Sequence, residues 1–385
     1  MQRNPRKVFW GRTCVLKATY AIPALPPTGA IETPAVLRAL TQAHRHLAEL
    51  KGRAATTPNQ GILIDTLALQ EAKASSEIEN IVTTQDELFQ ANAFPENPAS
   101  PAAKEVALYA DALRHGFMEQ RRLDGLLTNN MIVAMFQILK RTEGGFRSTP
   151  GTALKNDQTG QIVYVPPQEG QAVRDHMAAL ETFINDDADD GQGHSDLDPL
   201  VKMAIIHHQF ESIHPFPDGN GRLGRIINAL YLTRTNLLEI PLLYLSRFIT
   251  GSKGEYYRLL QAVRDGQGRA EDWEAWLLYI LRGVTETSKE TLRLIEAMRA
   301  LMAEYKIKLR QEHSKIYTQD LLNNLFRHPY TRIDYVQEEL RVSRPTATKY
   351  LDELAESGLL NKRRVGRNSY YINHRLVGLF MDGVA

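Results

Sequence analysis

The residues most able to do chemistry lie in one stretch, His214-Pro215-Phe216-Pro217-Asp218-Gly219-Asn220-Gly221-Arg222-Leu223-Gly224-Arg225. Gly219 and Gly221 permit a tight turn, after which unpaired N–H groups at a helix start can converge on an anion, helped by the positive end of the helix dipole. Arg222 and Arg225, three residues apart on the first turn, can clamp further phosphate oxygens with forked donors. Asp218 can hold a hard divalent cation bridging the same phosphates, with Mg²⁺ the expected ion. His214, whose type has an ordinary pKa of about 6.5, suits proton transfer from an incoming hydroxyl. The stretch reads as a phosphate cradle beside a general base. His207 and His208 do not extend it into a metal set, because adjacent histidines on a helix face different ways; they read as core or surface residues.

Positioning such a loop requires a helix on each side. Val201, Ala204, Ile205 and His208 mark one before it, and Leu223, Ile226, Ile227 and Leu230 recur at i, i+3, i+4 and i+7 after it. Thr33 and Pro34 open a further helical run to Leu50, and helical text covers about 61–79, 84–92, 101–119, 127–141 and 171–185. Upstream of it, Ile22 to Gly29 carries prolines that suit an extended arm. Two apolar runs within Phe146 to Pro167 flank the turn-prone Asn156 to Gly160 and predict a β-hairpin. Asp186 to Asp198 is acidic and without periodicity, a surface loop. The fold class is mainly α.

A chain of 385 residues holds two or three domains at roughly 100–200 residues each. Its 43% hydrophobic and 24% charged residues are those of a soluble globular protein, and no run approaches the ~18 apolar residues of a membrane helix. Forty-six basic against 45 acidic residues leave a net charge of +1, so nucleic-acid binding by bulk charge is excluded while a local basic patch is not. The single cysteine, Cys14, excludes an internal disulfide and points to a reducing, cytoplasmic setting. Met1 to Arg12 lacks the apolar run of a secretory signal and reads as a mature terminus.

Residues 214–225 match, position for position, the signature H-x-F-x-[DE]-G-N-G-R-x-x-R, and the chain resembles Fic-domain adenylyltransferases. The resemblance implies a Fic-type helical core with the 146–167 hairpin as its flap, and a homodimer as the assembly. It implies ATP with its phosphates on Gly219, Asn220, Gly221, Arg222, Leu223, Gly224 and Arg225, and Tyr256 and Tyr257 near the adenine. A Tyr, Thr or Ser hydroxyl of a target protein then attacks the α-phosphorus after giving its proton to His214, with Mg²⁺ on Asp218. Two alternatives are a Fic-fold transferase using another phosphate donor and a DNA-binding regulator that senses nucleotide.

Ser75-Ser76-Glu77-Ile78-Glu79-Asn80 is similar to the family's inhibitory motif [ST]-x-x-x-E-[GN], which implies that Glu79 pairs with Arg225 and blocks productive placement of the γ-phosphate. The plainer alternative is a capping box, Ser76-x-x-Glu79, at a helix start.

From Tyr317 the texture changes. Leu321, Leu322, Leu325 and Phe326 mark one helix, Thr331 to Leu340 a second and Ser343 to Ser357 a third, and two strands follow around a basic turn within Leu359 to Ile372. This looks like a winged helix-turn-helix, with Arg344, Thr346, Lys349, Arg363, Arg364 and Arg367 as candidate DNA contacts. A packing or dimerisation role fits the same texture. The expected division is 1–110 for the arm and inhibitory helices, 111–300 for the catalytic core and 312–385 for the C-terminal domain.

Overall fold

The computed structural model describes residues 18–29, 31–57, 59–93, 100–156, 159–186, 196–365 and 368–381; Cys14, Arg367 and the first 17 residues lie outside them. Five helices come first: α1 (Pro34–Ala55), α2 (Gln60–Ile78), α3 (Gln85–Ala93), α4 (Pro101–Arg122) and α5 (Asn129–Lys140). A short hairpin follows, β1 (Leu154–Lys155) and β2 (Ile162–Tyr164), then α6 (Gly170–Asn185), α7 (Pro199–Ile213), α8 (Asn220–Arg234), α9 (Ser246–Gly251), α10 (Lys253–Asp265) and α11 (Ala270–Glu312). The C-terminal part is α12 (Gln319–Arg327), β3 (Tyr330–Arg332), α13 (Ile333–Leu340), α14 (Arg344–Glu356), β4 (Asn361–Val365), β5 (Asn368–Ile372) and α15 (His374–Met381). No helix among the described residues is long and apolar enough to cross a membrane.

The helix starts follow local chemistry. Thr33 and Ser343 cap α1 and α14 through their hydroxyls and Asp198 caps α7 through its carboxylate, each with a proline in the first turn. α7 is buried from Leu200 to Ile213, and α8 from Arg222 to Leu232. A helix covered on all sides belongs at the centre of a domain. This pair is the axis of the molecule, with α2, α4, α5, α6 and α11 packed around it.

The 43 residues of α11 form a rod about 64 Å long at 1.5 Å per residue. Near its start Trp273 and Trp276 are buried in the core, and Trp276 Nε1 donates to the Ala204 carbonyl at 3.0 Å. Near its end Tyr305 donates to Leu359 O at 3.1 Å and to Asn373 Oδ1 at 2.9 Å, so one helix serves both parts of the chain.

The hairpin is antiparallel, with Leu154 opposite Tyr164. It is anchored at its base, where buried Tyr164 donates to the Ser212 carbonyl at 2.6 Å beneath the Arg264 guanidinium. Ile162 and Val163 are exposed.

In the C-terminal part an antiparallel sheet of order β3-β5-β4 packs with α12, α13 and α14. The helix expected from Thr331 begins only at Ile333. Tyr330, Thr331 and Arg332 pair with Ile372, Tyr371 and Tyr370, so long-range strand pairing of aromatic and β-branched residues prevails over the local helical pattern. The sheet meets the rest of the molecule where Tyr330 stacks on Phe89 of α3, and α12 meets α2 where Arg327 Nε donates to Asp65 Oδ2 at 2.6 Å.

Candidate active site

The loop between α7 and α8 is fixed from three directions. Its ring Phe216 is buried and stacks on Phe136 of α5 with centroids 4.2 Å apart. The Asn220 side chain closes the turn, accepting from Phe216 N at 2.9 Å and donating to Phe216 O at 2.8 Å. Arg147, at the base of the hairpin, donates from Nε to His214 O at 2.8 Å and from Nη2 to Ile213 O at 3.1 Å, while its own amide bonds Pro215 O at 2.8 Å.

Gly219 precedes α8 with φ of 80°, a left-handed conformation suited to glycine, and no side chain caps the helix. The first amides of α8 therefore have no partner from a capping side chain, and a helix start of this kind can receive an anion.

His214 ends α7 in the left-handed region, φ 51°, which turns its ring off the helix. Its Nδ1 is buried and makes no hydrogen bond among the described residues. Burial, and then the charges of Arg264 and Arg147, push its pKa down to about 3, so the ring is neutral and can accept a proton.

Asp218 is largely exposed and accepts from Lys140 Nζ at 2.6 Å. Partial burial opposes its ionisation, and Lys140 outweighs that, holding the carboxyl below its ordinary range. A lone accessible carboxylate fits Mg²⁺, which keeps several waters and shares its ligands with substrate phosphates. No cluster of three or more His, Cys, Asp or Glu side chains suited to a metal occurs among the described residues.

Both arginines are buried and engaged. Arg222 Nη1 donates to Glu105 Oε1 at 2.8 Å, and Lys140 joins the same carboxylate at 3.1 Å. Arg225 donates from Nε to Ser75 Oγ at 2.8 Å, from Nη2 to Ser75 O at 2.9 Å and from Nη2 to Glu79 Oε1 at 2.9 Å. Burial works against the charge of Arg225, and Glu79 leads the groups that outweigh it, so its pKa is raised. The segment 75–79 lies at the end of α2, with Glu79 as the C-cap, which rules out the capping box at a helix start.

Not every candidate faces the cradle. Leu223 is in the core and its amide is spent on Gly219 O at 3.0 Å. Gly224 allows α8 to approach α7, since a Cβ there would come 3.2 Å from Glu211 Oε1. Tyr256 is buried against His207, its hydroxyl 2.8 Å from Nε2, while Tyr257 is 42% exposed and leans on Tyr256. Of these four, only Tyr257 presents its side chain to solvent. His207 sits in the core, its Nδ1 accepting from Asn228 at 3.1 Å.

Sequence reasoning passed over Glu105, Lys140 and Arg147. The first two approach from helices far away in the chain and leave no local pattern; Arg147, next to Phe146 at the hairpin base, left only its charge as a signal.

In the C-terminal part, Lys349, Arg363 and Arg364 are exposed. Arg344 pairs with Asp334 at 2.8 Å, and the Thr346 amide bonds the capping Ser343 hydroxyl.

Three family descriptions match the chain: Fic/DOC family N-terminal over residues 37–118, Fic/DOC family over 126–232, and protein adenylyltransferase SoFic-like, C-terminal domain, over 301–376. Residues 126–232 are thus a Fic/DOC family domain, preceded by the N-terminal segment of the same family. The chain is 34% identical over 80 residues, 20% of its length, to Probable protein adenylyltransferase aq_aa38 of Aquifex aeolicus, covering 25% of that protein. It is 27% identical over 103 residues, 27% of its length, to Protein adenylyltransferase fic-1 of Caenorhabditis elegans, covering 18% of that protein. The matches thus span a quarter or less of these relatives. Among solved structures, a Fic family protein from Desulfovibrio desulfuricans superposes with TM-score 0.53 at 22% identity, over 90% of this chain and 98% of that one. Fic-1 of C. elegans gives 0.51 at 19%, over 69% and 75%. Both show the fold.

Proposed function

We propose that this chain is a protein adenylyltransferase that moves AMP from ATP to a Tyr, Thr or Ser hydroxyl of a target protein and is restrained by its own Glu79. The observation that carries the reading is the uncapped start of α8, set between a neutral His214 and the buried guanidinium groups of Arg222 and Arg225.

In this reading the amides of Asn220, Gly221 and Arg222 and the two arginine side chains receive the phosphates. Mg²⁺ on Asp218 supplies charge neutralisation at the phosphate oxygens when bound. The exposed edge of the hairpin holds a target segment by strand addition. His214 takes the proton of the target hydroxyl. The hydroxyl oxygen bonds to the α-phosphorus, the bond from that phosphorus to the bridging oxygen breaks, and pyrophosphate leaves. While Glu79 holds Arg225, that guanidinium is withheld from the γ-phosphate.

The purified chain is incubated with lysate and ATP labelled at the α- or the γ-phosphate. Label from the α position reaches protein and is lost in His214→Ala. Transfer of γ-label instead would replace the reading with a phosphotransferase.

We read residues 312–385 as a winged helix-turn-helix beside an arm with inhibitory helices (1–110) and a catalytic core (111–300), in a cytoplasmic homodimer. Exposed Lys349, Arg363 and Arg364, with Arg344, Thr346 and Arg367, are its candidate duplex contacts. Salt-dependent duplex binding that weakens in Arg363→Ala with Arg364→Ala supports this role; specific duplex binding without AMP transfer would favour a nucleotide-sensing regulator.

A further inference from the structure

Four side chains of alternating charge run from the core to the mouth of the cradle. Arg222 of α8, 1% exposed, donates to Glu105 Oε1 of α4 at 2.8 Å. Lys140, the last residue of α5, donates to the same oxygen at 3.1 Å and to Asp218 Oδ2 at 2.6 Å. Asp218 stands at the open end with its side chain 66% exposed, and its other oxygen accepts from Gly219 N at 2.6 Å. Both oxygens of the carboxylate suited to a divalent cation are thus engaged, one of them by an ammonium.

The stem of Lys140 fixes where that ammonium lies. A Cβ on Gly219, the cap residue of α8, would come 3.6 Å from Lys140 Cδ and 3.8 Å from Arg222 Nη2. Lys140 therefore passes beside the residue from which the first amides of α8 begin, on the side that Arg222 shares. Its backbone is the C-terminal end of α5, where the helix dipole favours a cation. An ammonium carries three N–H donors on a flexible stem. Among the described residues Glu105 and Asp218 take two of them, which leaves a third for a phosphate oxygen.

We propose that Lys140 is an internal stand-in for the divalent cation. It neutralises Asp218 and meets the phosphates of a nucleotide when the cation is absent, and it withdraws onto Glu105 when the cation takes Asp218. An ammonium and a divalent ion on one small carboxylate repel each other, and Glu105 keeps the withdrawn charge paired. The proposal deepens the reading of the loop as an ATP site with Asp218 as metal ligand, and rests on it. Its consequence is that nucleotide affinity depends less on the cation than it would without Lys140.

The test reads binding and leaves turnover aside. The probe is ADP, which lacks the γ-phosphate that Glu79 excludes in this reading. Equilibrium dialysis of the full chain with ADP, in EDTA and in excess Mg²⁺, gives the factor by which Mg²⁺ tightens ADP. That factor rises roughly tenfold in Lys140→Met, the scale of one charge-assisted hydrogen bond, and likewise in the polar neutral variant Lys140→Gln. It stays near the wild-type value in Lys140→Arg, which keeps the charge. Asp218→Asn loses the Mg²⁺ effect. A factor unchanged or lowered in the neutral variants would overturn the proposal and leave the ATP reading standing. A Mg²⁺ effect that survives Asp218→Asn would also overturn it, because the cation is then held where Lys140 does not compete. Failure of the wild type to bind ADP under either condition would remove the nucleotide reading and the proposal with it.

Discussion

The guanidinium of Arg225 and the carboxylate of Glu79 meet at 2.9 Å although 146 residues separate them in the chain. A Cβ on Gly221 would collide with the same carboxylate oxygen. Glu79 thus lies over the first turn of α8 as well as against Arg225, on the surface where an anion would be received. The two glycines of the loop therefore differ in purpose: Gly219 supplies the left-handed turn, and Gly221 leaves room beside Glu79.

Glu79→Gly should raise AMP incorporation, because it removes the carboxylate and frees the guanidinium. The expected gain is about tenfold, corresponding to a coupling of roughly 1–3 kcal/mol. Glu77→Gly is the control, since Glu77 pairs with Lys73 at 3.7 Å while the contacts to Arg225 come from Ser75 and Glu79. Equal incorporation in the wild type and both variants would remove Glu79 from regulation.

Arg147→Ala should lower turnover without weakening ATP binding. Arg147 holds the carbonyls of Ile213 and His214 and so sets where the His214 ring stands. A displacement near 1 Å can cost about a hundredfold in rate. Single-turnover kinetics with an ATP titration separate the two effects. A variant with normal turnover would show that the loop is positioned by Phe216 and Asn220 alone.

The helices were legible because apolar spacing and start signals such as Thr33-Pro34 declare their faces and starts locally. The chemistry of the loop was legible because Gly219, Arg222 and Arg225 are close in sequence. What escaped was long-range. Glu105 reaches Arg222 across 117 residues, and nothing near Glu105 announces it. β3 looked helical because only β5, some 40 residues later, makes it a strand. Tyr256, which the resemblance puts near the adenine, has a buried hydroxyl that needs a partner, and it meets His207 across 49 residues.

His214 should stay neutral well below its ordinary pKa of 6.5. Burial and the charges of Arg264 and Arg147 make protonation harder in the folded chain, to about 3. The histidine C–H resonance that disappears in His214→Ala should therefore not move between about pH 8 and pH 5, where a free imidazole titrates fully. The sign follows for stability: the folded state resists the proton, so this group costs stability as pH falls below 6.5. A midpoint near 6.5 would contradict the burial argument.

Glu211→Gln should change the pH dependence of stability in the opposite sense. Glu211 is buried beside Gly224, its Oε1 without a hydrogen bond among the described residues. Burial raises its pKa from 4.5 to about 7, with Arg225 and Arg264 opposing and Glu79 adding to the rise. The folded state therefore holds this proton more tightly than the unfolded one. Its contribution is fully present below pH 4.5 and is lost as pH rises through about 7. The ionised form then costs on the order of 3 kcal/mol relative to the protonated form. Glutamine is neutral at every pH and of nearly the same shape, so the variant should gain on the wild type as pH rises, by a few kcal/mol between about pH 5 and pH 8. Urea unfolding of both chains at the two pH values measures the difference, and Glu71, shifted in the same direction but present in both, cancels. A stability difference that is the same at both pH values would mean that Glu211 is already ionised at the lower one, and that the surrounding arginines outweigh its burial.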